Sequence, residues 1–211
     1  MILLYFVIFL GLIPFTLFLL NKQNYNQEIK NILPFVILMF FGSIYEYVGT
    51  IILAFSVSYW FISYNIMAFI TIFYFYYNKS ISNYKLFYLT VIISFILLLL
   101  YLICNHQLRD FLIVNNYIKV FITCFILLST TLWFVKLINE GNVHNLLQTG
   151  SFYFIAGFVL YYCGTLFLFL LSDQLYKTDS SLFFYYWGIN IFLNFVLRSL
   201  VIVGLWKLRI K

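Results

Sequence analysis

The chain has 211 residues, of which 65% are hydrophobic and 9% charged, and its mean hydropathy is +1.03. A water-soluble domain of this length does not carry that balance, so a cytosolic enzyme and a nucleic-acid-binding module are excluded even though the net charge is +6. Three cysteines, Cys104, Cys124 and Cys163, and two histidines in separate loops, His106 and His144, offer neither a disulfide framework nor a metal spacing.

Seven apolar segments follow one another at about residues 2–20, 32–55, 58–77, 85–103, 117–138, 151–171 and 182–206. A hydrocarbon core of ~30 Å takes about 20 residues of helix, and in lipid the backbone must satisfy its own hydrogen bonds. The expected fold is therefore all-α, a polytopic seven-transmembrane helix bundle forming one domain over residues 1–211. The longest remaining loops, 21–31, 104–116 and 172–181, are too short to bury a second core. Any catalytic or kinase module then belongs to another chain.

The first segment has no basic stretch before it and no small-residue cleavage site after it, so it is expected to stay as helix one. The second carries Glu46 in its interior, flanked by Ser43 and Thr50 and by Gly42 and Gly49, seven residues apart on one face. Asn65 lies in the third. The sixth repeats the glycine spacing with Gly157 and Gly164, and such small residues let helix backbones approach closely in lipid. In the seventh, Asn190, Asn194 and Arg198 recur at i, i+4 and i+8, which puts them on one stripe below Trp187, itself read as an interfacial anchor. The cysteines are read as small packing residues.

Cations sort by loop. Lys22, Lys30, Lys79, Lys85, Lys136, Lys207, Arg209 and Lys211 fall on one face, and Arg109, Lys119 and Lys177 on the other. The positive-inside rule then places the N-terminus outside and the C-terminus in the cytoplasm of a bacterial inner membrane. Glu46 is expected about 18 Å deep and Arg198 about 13 Å deep at 1.5 Å per residue. Buried charges of opposite sign are costly alone, so each is the expected partner of the other. A structural clamp and a ligand site or latch are both open for this pair, with Glu46, Arg198, Asn190, Asn194 and Asn65 as the candidate pocket.

Gly42–Leu53 aligns without gaps to Gly157–Leu168, with identities at both glycines, Tyr47 and Tyr162, Thr50 and Thr165, and the final leucines. The Tyr59-Trp60 and Tyr186-Trp187 pairs open the third and seventh helices in the same way. A duplicated three-helix unit joined by an inverting helix four produces this pattern, and so does chance in a biased composition. No H-E-x-x-H, G-x-S-x-G or phosphate loop occurs, and no second intramembrane carboxylate accompanies Glu46. No catalytic residue, cofactor or metal is expected.

The run Phe154–Ser172 followed by Trp187–Phe195, together with Gly42–Gly49, resembles an uncharacterised family of small seven-helix integral membrane proteins from Bacteroidota, often encoded beside a membrane histidine kinase. The resemblance implies a sensory or signalling role with such a kinase as partner. Its expected polar residue after the tryptophan is Gly188 here. Three functions stay open: a non-enzymatic inner-membrane sensor or signalling partner with a polar pocket for an unknown small ligand, a small transporter resembling the three-plus-one-plus-three sugar carriers, and a structural subunit of a membrane complex. Against the carrier, the chain has only Pro14 and Pro34 for helix breaking.

Overall fold

The computed structural model describes residues 2–20, 27–53, 55, 57–80, 84–105, 111–139, 146–178 and 180–209. Lys22, His106, Arg109, His144 and Lys211 lie outside the described residues, as do the side chains of Asp173, Lys177 and Arg209. The architecture is an all-α bundle of seven helices: α1 (Ile2–Leu20), α2 (Gln27–Ile44, continued as a π-helical stretch Tyr45–Ile52), α3 (Val57–Ser80), α4 (Lys85–Cys104), α5 (Phe111–Asn139), α6 (Gly150–Thr178) and α7 (Ser180–Arg209). Six of these are long and apolar enough to cross a bilayer, which marks a multi-pass membrane protein. The first has a shorter apolar stretch, Leu3–Leu19. Its 19 residues rise about 28 Å, close to the thickness of the hydrocarbon core.

Three helices outrun the apolar segments that announce them. α2 begins at Gln27 rather than 32, α5 at Phe111 rather than 117, and α6 continues to Thr178 rather than ending near 171. Hydropathy marks where side chains meet lipid, whereas the hydrogen-bonded ladder continues into the polar boundary until something stops it. For α5 the difference matters, because Asn115 becomes a helical residue instead of a loop residue and Lys119 moves from the edge of the expected segment to well inside the helix.

Six helices close a ring in the order α1, α2, α3, α5, α6, α7 and back to α1. α4 stands outside it, with 17% of its apolar window buried against 50% for α5, so most of its surface is left for lipid. It is held by aromatic side chains: Phe95 stacks on Phe69 of α3 at 3.9 Å and touches Phe121 of α5 at 5.3 Å. The Tyr88 hydroxyl also donates to the Tyr76 carbonyl at 3.2 Å.

The α6–α7 contact is the most extensive, and Gly150, Gly157 and Gly164 explain it. A Cβ on Gly150 would lie 2.7 Å from the Gly204 carbonyl oxygen, one on Gly157 3.1 Å from Leu197 Cδ1, and one on Gly164 2.7 Å from Leu193 Cδ1. A seven-residue glycine stripe thus faces α7, and dispersion between close backbones replaces the hydrophobic drive that lipid does not supply. Gly42 similarly faces Tyr64 of α3. Gly49 differs from the expectation: its missing Cβ leaves room for the ring of Tyr45, one turn away in its own helix. The cysteines differ too, since Cys104 and Cys124 are exposed on the outside of the bundle, where a weakly polar thiol suits lipid contact.

The core is not spread evenly along the ring axis. At the end where α2 and α6 begin and α3, α5 and α7 finish, Phe35, Phe75, Tyr76, Phe125, Phe154 and Phe158 are all within 2% of complete burial. Their rings meet edge to face, Phe35 on Phe158 at 4.9 Å and Phe75 on Phe158 at 5.8 Å. Tyr76 anchors the set by sharing a 2.7 Å hydrogen bond with Thr130. This half of the ring is a close-packed aromatic plug. The other half is not.

Candidate intramembrane binding cavity

At the end where α1, α3, α5 and α7 begin, the ring encloses a cavity of about 190 Å³. Every ring helix contributes a wall: Val7 and Ile8 from α1, Glu46 and Thr50 from the π-helical stretch, Trp60, Tyr64 and Asn65 from α3, Lys119 from α5, Tyr161 and Phe169 from α6, and Trp187, Asn190 and Asn194 from α7. The lining mixes large aromatic faces with amides and two opposite charges, the usual chemistry of a small-molecule site.

Arg198 underlies this cavity with its side chain 2% exposed. Its Nη2 donates to Glu46 Oε2 at 3.4 Å, its Nε to Asn194 Oδ1 at 2.9 Å, and its Nη1 both to Ser43 Oγ at 2.9 Å and to the Val7 carbonyl at 2.6 Å. One guanidinium therefore ties α1, α2 and α7 together. The contact with Glu46 is single and long rather than bidentate, because Nη1 is committed to α1 and to Ser43. Approach to the Val7 carbonyl requires Gly11: a Cβ there would sit 2.5 Å from Nη1 and 2.0 Å from Ser43 Oγ. Glu46 is left one-third exposed (32%) toward the cavity.

The π-helical stretch is what carries Glu46. Thr50 Oγ1 bonds the Glu46 carbonyl, and Leu53 N–H reaches back five residues to the Val48 carbonyl at 2.9 Å. A hydroxyl that takes up an i−4 carbonyl and a glycine that admits a ring both loosen the ordinary ladder. Tyr45 then stacks on Trp60 of α3 at 4.0 Å, holding the widened turn against the next helix.

A second polar system occupies the opposite side. Lys119, 5% exposed, donates from Nζ to the Tyr161 hydroxyl at 3.2 Å, and Tyr161 donates in turn to Asn190 Oδ1 at 3.1 Å. The ammonium lies 4.7, 4.9 and 4.8 Å from the ring centroids of Tyr161, Tyr162 and Phe169, an aromatic cage that favours a cation. Among the described residues no carboxylate lies within ion-pair distance of it. Asn65, 1% exposed, donates to Asn115 Oδ1 and so joins α3 to α5.

All five candidate pocket residues therefore lie at or beside the cavity, in two hydrogen-bonded groups. Arg198, Asn194 and Glu46 form one; Asn190 belongs to the other, with Tyr161 and Lys119; Asn65 pairs with Asn115. Trp187 is a wall residue rather than a simple interfacial anchor, with its ring 6.0 Å from Phe61 and 5.8 Å from Phe169. Lys119, Tyr161, Asn115 and Gly11 were not anticipated as site residues. A signal for α5 existed: Asn115, Lys119 and Thr123 stand at i, i+4 and i+8, the same ladder that singled out α7. Among the described residues no cluster of three His, Cys, Asp or Glu side chains is placed to hold a metal.

No protein-family model matches the chain, and no curated protein and no solved structure matches it.

Proposed function

We propose that the chain is a non-enzymatic sensor or signalling partner of the bacterial inner membrane, whose polar cavity receives a small molecule from the outer side. One observation carries this: a cavity walled by all six ring helices stands above an aromatic plug that closes the other half of the ring. A ligand there touches every ring helix at once, and it meets the π-helical stretch through Glu46 and Thr50. A shift of that stretch toward ordinary helix would turn and lengthen the end of α2, a discrete change that binding can bias. With Lys119 inside the bundle, the loop count for the outer face falls to Arg109 and Lys177, which supports an outer N-terminus and a cytoplasmic C-terminus. The opposite end carries Lys30, Lys79, Lys85, Lys136 and Lys207, a basic surface suited to an acidic patch on a partner such as a membrane histidine kinase.

A second reading, a small carrier built from two three-helix units, is favoured by the order of neighbours. Advancing three places around the ring turns α1–α2–α3 into α5–α6–α7 and leaves α4 outside, as a duplication with an inverting helix would. The register that pairs Gly42 with Gly157 also pairs Glu46 with Tyr161, and both line the cavity, as do Trp60 and Trp187.

Reconstitution separates the two. In sealed proteoliposomes a sensor passes neither solute nor protons, and from native membranes it co-purifies with a kinase. Accumulation of a solute that disappears in Glu46→Gln would replace the sensor by the carrier.

A further inference from the structure

The charges around the cavity do not cancel. Arg198 and Lys119 are both basic, Glu46 is the one carboxylate among the described lining residues, and its contact is with Arg198. Lys119 is left as a buried amine whose direct contacts are a phenol and three rings, with no anion among the described residues. An anion brought beside such an amine stabilises its ammonium form, so a buried lysine facing open space favours a negatively charged ligand there. The hydrogen bonds nearby point the same way. Asn190 Oδ1 accepts from Tyr161 and Asn194 Oδ1 accepts from Arg198, so each amide turns its NH₂ group to be the donor that remains. The Lys119 ammonium or amine and the NH₂ groups of Asn190 and Asn194 thus present donors on this side of the cavity.

Size narrows the ligand. A cavity of about 190 Å³ is slightly larger than the ~150 Å³ apolar cavity that accepts benzene, so it has room for one ring and one small polar group. Trp60, Phe61 and Trp187 supply flat apolar walls for such a body. We infer that the cavity takes a small organic monoanion, a carboxylate on a compact aromatic or similarly sized apolar body, with its charged end on Lys119 and the amides of α7 and its body between the tryptophans. This rests on the cavity being a ligand site, and it adds the sign of the ligand's charge and the residue that reads it.

The test uses three probes of nearly one shape and different charge: benzoate, benzyl alcohol and benzylamine. Each is titrated to tens of millimolar into the full chain in lipid nanodiscs while tryptophan fluorescence is followed, since Trp60 and Trp187 line the cavity. Benzoate is expected to give a saturable change at least about tenfold tighter than either analogue, because the wrong charge leaves Lys119 unpaired. Lys119→Met should weaken benzoate by at least about tenfold and Lys119→Arg should retain it, whereas Glu46→Gln, which removes the opposing charge, should tighten it. Unchanged benzoate affinity in both Lys119→Met and Glu46→Gln overturns the assignment. Equal or tighter binding of benzylamine or benzyl alcohol overturns the anion while leaving a ligand site. No saturable response to any probe removes the ligand site itself.

Discussion

Gly11→Ala tests the Arg198 junction through a single methyl group. The new Cβ would fall 2.0 Å from Ser43 Oγ and 2.5 Å from Arg198 Nη1, so the guanidinium must leave the Val7 carbonyl and Ser43 or α1 must move outward. Two interhelical hydrogen bonds in lipid are together worth about 1–3 kcal/mol. Overpacking adds about 1–3 kcal/mol, and the better helix propensity of alanine returns about 1 kcal/mol. The expected net loss is about 3 kcal/mol, read as a lower midpoint in reversible unfolding of the detergent-solubilised protein. Gly188→Ala is the matched control, because a Cβ at Gly188 meets nothing within 4 Å and the change should be neutral or slightly stabilising. A Gly11→Ala protein as stable as Gly188→Ala would show that the guanidinium does not reach α1.

Three further outcomes follow from the packing. Gly164→Val should open the α6–α7 contact and cost about 1–3 kcal/mol, whereas Gly49→Ala should cost less, since its neighbour is a tyrosine ring that can swing; unfolding midpoints of the two variants rank them. Lys119→Met should leave thermal stability unchanged or raised, because an apolar chain of similar length fills the aromatic cage without a charge to desolvate, and a drop of more than about 2 kcal/mol would mean that Lys119 has an anionic partner in the native fold. Phe158→Ala should destabilise by about 3–5 kcal/mol as a core truncation, measurable by the same unfolding assay, while leaving probe binding in the cavity intact.

Much of the fold was legible because lipid simplifies the code: an apolar run long enough to cross is a helix, and seven such runs were readable as seven helices. The helix ends were not, since the residues past the hydrocarbon boundary at Gln27, Phe111 and Thr178 are helical without being especially apolar. Glu46 and Arg198 stood out through the cost of an intramembrane charge, and depth counting brought them within ~5 Å of each other, a gap that an arginine side chain spans. Lys119 escaped that logic because it stands at the very edge of the expected segment 117–138 and counts with the cations of that face, where a lysine is unremarkable. With the helix starting at Phe111 it stands well inside α5, buried on the cavity lining. Gly11 was silent because a lone glycine in an apolar helix has no partner in sequence; its role appears only when a side chain 187 positions away arrives beside it. The aromatic side chains, 24% of the chain, form a plug at one end and cavity walls at the other.

The central claim is a polar cavity open from one end of the ring and a close-packed plug in the other half. Single cysteines in a background with Cys104, Cys124 and Cys163 replaced by serine measure it directly, with a small membrane-impermeant thiol reagent applied to intact cells. Asn190→Cys and Asn194→Cys are predicted to react from outside while Val201→Cys, fully buried among the plug residues, does not. Labelling of Val201→Cys as fast as the other two, or protection of all three from the outside, would contradict the account.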